Sequence, residues 1–193
     1  GPLVYGSTNL FTLSGGNGLG TAISYQVVAG PGLMVGSNKL AVLSGTGSIE
    51  LKVTKAGDAY YENVETNFVI QVAKASQSIA FPAMADQLST NHVTLSATAS
   101  SGLPVNYTVV TGPAVLTGGN QLSFTNGGVV AVAAQQSGDT NYLAALAVTN
   151  TFTVTLVHVN EAPVANSQSV TTAEDTVVAI VLTGSDGEGS NLV

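Results

Sequence analysis

The chain has 193 residues, of which 8% are charged, and its formal net charge of -7 comes with four lysines and no arginine. So few charges disfavour helices with solvated surfaces, and the shortage of basic residues excludes nucleic acid as a partner because phosphate binding needs clustered lysine and arginine. The sequence has no run of 18 apolar residues that predicts membrane insertion and no cysteine for a disulfide framework.

One sequence pattern occurs twice. Residues 23–40 read ISYQVVAGPGLMVGSNKL and residues 105–122 read VNYTVVTGPAVLTGGNQL, with equivalent positions 82 residues apart. The motif Gly-Asp-x-x-Tyr also recurs, at 57–61 and 138–142. A period near 80 residues is too long for a solenoid and suits an independently folded β-domain. We therefore predict repeat 1 at 1–74, repeat 2 at 76–159 and a different segment at 160–193.

Repeat 1 is predicted to consist of short strands in which apolar and polar residues alternate. Such alternation places every second side chain on one face, which is typical of half-buried strands. Turn residues bound each strand, as in a β-sandwich. The predicted strands include 11–13, 23–27, 49–53 and 68–72, with a hairpin turn at 36–38.

Repeat 2 matches this pattern and begins with one further strand. We match residues 93–97 to 11–15, 130–134 to 49–53, and 152–156 to 68–72. The additional strand, 77–82, has no counterpart in repeat 1, so we expect the fragment to begin just after that strand and to leave an open sheet edge. The link of about three residues at 74–76 predicts two domains that lie end to end with little hinge freedom.

The segment 160–193 starts with an extended connector and is predicted to form strands at 167–172 and 176–183. It carries five carboxylates and no basic side chain. These carboxylates indicate either a solvated acidic surface or a cation site. A single strand pair is marginally stable, so we expect the segment to pack on repeat 2, pair with another molecule or stay loose.

Several stretches carry a family resemblance. Ser78-Ile-Ala-Phe-Pro, Leu95-Ser-Ala-Thr-Ala-Ser-Ser-Gly-Leu-Pro-Val and Gly138-Asp-Thr-Asn-Tyr resemble the tandem immunoglobulin-like repeats of very large bacterial surface and secreted proteins, and 1–74 is similar to a diverged copy. Asn160-Glu-Ala-Pro-Val-Ala and Gly184-Ser-Asp-Gly-Glu-Gly resemble the start of a cadherin-like repeat. The resemblance implies an all-β chain of tandem immunoglobulin-like β-sandwiches with a partial third β-domain, located outside the cell or on its surface.

The cadherin-like resemblance also implies candidate calcium ligands. Calcium takes six to eight oxygen ligands, largely carboxylates and carbonyls. Ser190 stands where that family often has an aspartate, which makes this loop a weaker match to the family's calcium-binding loop. The candidates carried over by position are Glu161, Glu174, Asp175, Asp186 and Glu188.

The remaining motifs favour structural roles. In Gly-Asp-x-x-Tyr, Asp58 and Asp139 are expected to accept backbone N–H bonds within turns. His92 and His158 lack metal-ligand spacing, and no nucleophile elbow or recurring carboxylate pair predicts an enzyme. Residues 15–20, although rich in glycine, lack the helix and lysine of a phosphate loop and indicate a hairpin turn.

We expect a non-catalytic structural or adhesive module, a spacer or stalk of a bacterial surface or secreted protein. The alternative is a carbohydrate-binding module, for which Tyr60 and Tyr61 are the candidate aromatic residues. Expected partners are neighbouring domains of the parent chain and a glycan or cell-surface protein. An edge-strand dimer would form if a tail strand (167–172 or 176–183) added to the open edge of repeat 1 in another molecule.

Overall fold

A computed structural model describes residues 1–13, 22–158 and 161–186. This part of the chain is all-β and contains no helix, so no long apolar helix is available to cross a membrane. The strands, in chain order, are β1 (Leu3–Val4), β2 (Thr8–Leu10), β3 (Ile23–Ala29), β4 (Gly32–Met34), β5 (Lys39–Val42), β6 (Ser48–Lys55), β7 (Val64–Ala73), β8 (Ile79–Ala80), β9 (Gln87–Leu88), β10 (His92–Thr94), β11 (Thr98–Ala99), β12 (Asn106–Thr111), β13 (Ala114–Thr117), β14 (Gln121–Phe124), β15 (Gly128–Gln135), β16 (Val148–Thr155), β17 (Val164–Ala165) and β18 (Gly184–Ser185).

Repeat 1 forms two facing sheets. One has the strand order β1-β7-β6-β3 and the other β2-β5-β4. Strand β6 pairs antiparallel with β3 and β7, while β1 pairs parallel with β7. Leu40 and Val42 from one sheet meet Ile49 from the other in the core. The predicted hairpin turn at 36–38 is confirmed, since it joins β4 to β5.

Repeat 2 has the same arrangement of strands. Its sheets have the orders β12-β15-β16-β9 and β10-β14-β13, and an additional pair joins β8 to β11. The buried cluster draws on both sheets and on the first strand of the repeat. It comprises Ile79, Phe81, Leu95, Leu122, Val130, Val132, Ala134, Phe152 and Val154. The prediction of tandem immunoglobulin-like β-sandwiches is therefore confirmed.

The registers correct two of the matches between the repeats. Ile49 pairs with Ile70 and Val130 pairs with Phe152, so Phe152 corresponds to Ile70, not to Phe68. The match of 93–97 to 11–15 is likewise wrong by two residues. The N–H of Phe11 donates to Asn38 O just as that of Leu95 donates to Asn120 O. A shift of two keeps the same face inward, so alternation alone does not distinguish the registers.

The Gly-Pro pairs mark the point where the chain passes from one sheet to the other. Gly30 has φ 87° and Gly112 has φ 101°, the region that favours glycine. A Cβ atom would lie 2.0 Å from Ser48 O at Gly30 and 2.3 Å from Val129 O at Gly112. Only glycine fits this close approach, which explains why the pair occurs in both repeats.

The predicted tail strands at 167–172 and 176–183 are wrong. The structure instead pairs β17 with β18 antiparallel, and the residues between them are exposed and outside any strand. Val177 is 99% exposed and Leu182 is 84% exposed. The apolar alternation in the tail has no facing layer to bury it, and a strand needs such packing to persist.

Candidate functional site

Each repeat builds its Gly-Asp-x-x-Tyr motif into a turn held by the aspartate. Asp139 Oδ1 accepts from the N–H groups of Asn141 and Tyr142, both at 2.8 Å. Asp58 Oδ1 accepts from the N–H groups of Tyr60 at 2.8 Å and Tyr61 at 3.0 Å. The predicted role of both aspartates in backbone turns is confirmed.

The glycine of the motif is required because the turn closes on itself. A Cβ atom on Gly57 would lie 2.1 Å from Tyr61 O, and one on Gly138 would lie 2.4 Å from Tyr142 O. The N–H of Asp139 also donates to Tyr142 O at 3.1 Å. The turn is therefore tightly closed, and its hydrogen bonds hold the residues at its tip in a defined arrangement.

The turn of repeat 2 docks on the end of repeat 1 through its backbone. The N–H of Ala75 donates to Asn141 O at 2.8 Å, and the N–H of Leu143 donates to Ala75 O at 2.9 Å. These bonds form a parallel bridge between Ala75 and Tyr142. The short link between the repeats is thus hydrogen-bonded to the turn of repeat 2 through an isolated β-bridge.

Side chains hold the same contact from both sides. Asn141 Oδ1 accepts from the N–H of Gly45 at 3.1 Å, and Lys74 Nζ donates to Asp139 O at 2.5 Å. The rings of Tyr5 and Tyr142 meet edge to face with centroids 5.3 Å apart, a favourable aromatic geometry. We call this set of contacts between 138–143 and the end of repeat 1 the joint.

Gly45 is a residue of the joint that the sequence did not reveal. A Cβ atom there would lie 2.9 Å from each of Asn141 O, Lys74 Cα and Thr140 O. A glycine in a turn between strands is common, so no sequence signal distinguished it from other turn glycines. Its importance comes from the backbone of Thr140 and Asn141 in repeat 2 and of Lys74 in repeat 1, all of which lie against it.

The equivalent turn of repeat 1 lies at its opposite end, where aromatic side chains are exposed. Tyr60 is 87% exposed and Tyr61 is 57% exposed. Tyr61 corresponds to Tyr142, which is partly buried against Tyr5 in the joint. The two turns share one backbone design but differ in whether a domain covers them.

The five candidate calcium ligands are not gathered in the described part of the chain. Within 1–13, 22–158 and 161–186, no three His, Cys, Asp or Glu side chains are placed to hold a metal ion. Glu161, Glu174 and Asp175 are exposed, and Asp175 has φ 58° in a turn. Glu188 lies outside the described residues. The calcium site remains a prediction.

The other candidates are also separate. His92 lies exposed in β10, and His158 follows the end of β16. The glycine-rich stretch 15–20 lies outside the described residues.

On the outer surface of repeat 1, Lys52 Nζ lies 2.7 Å from Glu65 Oε2. The hydrogen bond from Lys52 lowers the pKa of Glu65 below its ordinary value.

Comparison with known proteins gives only distant likenesses. No family model matches the chain, and no curated protein matches it. Among solved structures, Drosophila N-cadherin EC1-4 is 12% identical, with a TM-score of 0.32, over 76% of this chain and 44% of that one. Sidekick-1 immunoglobulin domains 1-5 are 13% identical, with a TM-score of 0.31, over 70% and 32%. Zebrafish RET cadherin-like domains 1 to 4 are 13% identical, with a TM-score of 0.27, over 70% and 41%.

These matches assign neither a family nor a function. The chain spans less than half of the length of each of these three structures. What the fold itself defines is a class of protein: a tandem of immunoglobulin-like β-sandwiches joined through a short, hydrogen-bonded link.

Proposed function

We propose that the chain is a non-catalytic structural and adhesive module that serves as a spacer or stalk in a large bacterial cell-surface or secreted protein. The observation that carries this proposal is the joint, in which a tightly closed turn of repeat 2 is hydrogen-bonded to the end of repeat 1. An extracellular or cell-surface location follows from such a role.

The joint supports a mechanical role because bending would break several contacts at once. Strand β7 ends at Ala73 and β8 begins at Ile79, and the intervening Ala75 is bonded on both its N–H and its carbonyl oxygen. A flexible linker would leave these groups to water and let the domains reorient freely. A hydrogen-bonded link instead fixes the orientation of one domain relative to the next.

The exposed turn at 57–61 extends this role to further domains. Because it is built like the turn at 138–142, we propose that it docks on the end of a neighbouring domain of the parent chain. Tyr61 would then occupy the position that Tyr142 occupies against Tyr5. Repetition of one contact would produce a long stack from identical parts.

The joint can be tested by measuring how the two repeats are oriented relative to each other. In the unsubstituted chain, residual dipolar couplings should fit one alignment tensor for both repeats. Gly45→Val would insert a side chain among three backbone atoms that lie 2.9 Å from a Cβ position, and should require two tensors. The matched control is Thr46→Val: Thr46 is the exposed neighbour of Gly45, and its side chain already has the shape of valine. Two tensors in the unsubstituted chain would contradict the spacer proposal.

Carbohydrate binding is the second candidate, favoured by the exposure of Tyr60 and Tyr61. The test is a glycan array and a pull-down with insoluble polysaccharides, using the whole chain in calcium and in chelator. Saturable binding that Tyr60→Ala abolishes would establish the carbohydrate-binding module. Binding that occurs in calcium and is lost in chelator would support calcium ligands among Glu161, Glu174, Asp175, Asp186 and Glu188. Absence of binding in both buffers supports the spacer.

A further inference from the structure

Repeat 2 fills the end of its core with its own first strand. Ile79 and Phe81 are each 9% exposed and belong to the buried cluster. The Phe81 ring lies 5.7 Å from that of Tyr107, measured between centroids. Strand β8 pairs with β11, and Asn150 Nδ2 donates to Pro82 O at 2.6 Å. Two alternate side chains of one extended segment thus complete this core.

The registers identify the same place in repeat 1. Tyr25 pairs with Val53 as Tyr107 pairs with Ala134. Phe68 pairs with Leu51 just as Asn150 pairs with Val132. The space that Ile79 and Phe81 occupy in repeat 2 therefore lies, in repeat 1, beside Tyr25, Leu51 and Phe68.

That space is an apolar groove. It has a volume of about 340 Å³, and its lining includes Phe11, Leu13, Leu51, Val53, Phe68 and Ile70. Phe68 is 46% exposed and Leu13 is 43% exposed, although both face the core side of the sandwich. Leu51 and Val53, also in the lining, are buried, at 1% and 4% exposed, so Phe68 and Leu13 are the lining side chains with the most exposed apolar surface. Among the described residues of repeat 1, none fills this space as Ile79 and Phe81 fill the equivalent space in repeat 2.

We propose that this groove is a docking site for an extended protein strand that carries an aliphatic and an aromatic side chain two residues apart. This is the pattern that Ile79 and Phe81 supply to repeat 2, since alternate residues of a strand point to one face. The occupant is a strand of the same kind as 77–82. Burial of both side chains against the exposed Phe68 supplies the driving force. The lining is almost entirely apolar, which suits a strand and not a sugar.

The first experiment uses a synthetic peptide with the sequence of residues 76–83, SQSIAFPA. It is titrated into the whole chain while methyl resonances are followed by NMR. We expect saturable shifts for Leu13, Leu51 and Ile70, with the methyls of the repeat 2 core unchanged. A control peptide with Asp at both apolar positions should cause no shifts. Absence of shifts at millimolar peptide, or equal shifts with the control peptide, would overturn the proposal.

Variants of the groove make the test specific. Leu13→Asp places a carboxylate in the apolar lining and should weaken peptide binding at least about tenfold. Leu10→Asp changes an equally apolar, exposed residue that pairs with Lys39 outside the groove, and should bind the peptide normally. Equal weakening in both variants would refute the site.

A third experiment tests whether the tail of a second copy, and not a strand like 77–82, occupies the groove. If residues 176–183 of a second copy occupied the groove, shifts at Leu13 and Ile70 would appear with rising protein concentration and no peptide. That result would overturn the assignment to a strand like 77–82 and would identify a dimer. Unchanged spectra on dilution, together with peptide binding, support the assignment. The domain orientation experiment on Gly45 is independent of both arms.

Discussion

Truncating the same leucine in each repeat should cost unequal amounts of stability. Leu40 and Leu122 are equivalent in the repeat, and both are 0% exposed. The transfer free energy lost in Leu→Ala is therefore the same at both sites, and any difference must come from the cavity left behind. The pair isolates how completely each core is packed.

The expected magnitudes follow from the surroundings. Leu→Ala in a core costs about 2 to 5 kcal/mol, with the larger values where neighbours cannot relax into the cavity. Leu122 sits in the larger cluster, closed by the first strand of repeat 2. Leu40 sits in the smaller cluster, against which Phe11 and Ile70 of the groove lining are packed. We expect Leu122→Ala to cost about 4 kcal/mol and Leu40→Ala to cost about 2 to 3 kcal/mol.

The assay is urea unfolding of the whole chain followed by amide NMR, which reports each repeat separately. Free energies of unfolding are obtained by linear extrapolation, with the slope compared between variants to confirm that only stability has changed. A cost for Leu40→Ala equal to or greater than that for Leu122→Ala would refute the reasoning that repeat 1 has the less complete core.

Three further predictions concern turns and charge. Gly112→Ala should lower the free energy of unfolding of repeat 2 by more than about 2 kcal/mol, because backbone strain and a backbone clash add together. Gly118→Ala should cost about 1 kcal/mol, because Gly118 has φ 58° but open space around it. Asp139→Ala should cost about 1 kcal/mol in urea unfolding, since two backbone N–H groups lose their acceptor, and Asp139→Asn should restore most of it. Lys52→Gln should raise the pKa of Glu65 toward its ordinary value in an NMR titration. Because the folded-state pKa is lowered, the ion pair stabilises the fold at pH values above the ordinary pKa of a glutamate. This contribution is lost as the pH falls through the lowered folded-state pKa. An unchanged Glu65 pKa in the variant would contradict the pairing.

Sequence reasoning succeeded where the signal was local. The alternation around Ile49 and Leu51, the hairpin turn at 36–38 and the turn at Asp139 all predict the observed elements, because each depends on neighbours within a few residues. The pattern does not identify the equivalent of Phe152, because a two-residue slip from Ile70 to Phe68 preserves the inward face.

The sequence by itself determined the all-β class, the repeat and the chemistry of its turns, since these follow from periodicity and from residues with special backbone preferences. Only the tertiary structure decided that Phe152 is equivalent to Ile70, that Gly45 belongs to the joint and that repeat 1 has an apolar groove. Those features depend on contacts between segments distant in the chain, where packing and hydrogen bonding select one arrangement among several that the local pattern allows. The tail follows the same rule: its alternation predicts strands, but without a facing layer Val177 and Leu182 remain exposed.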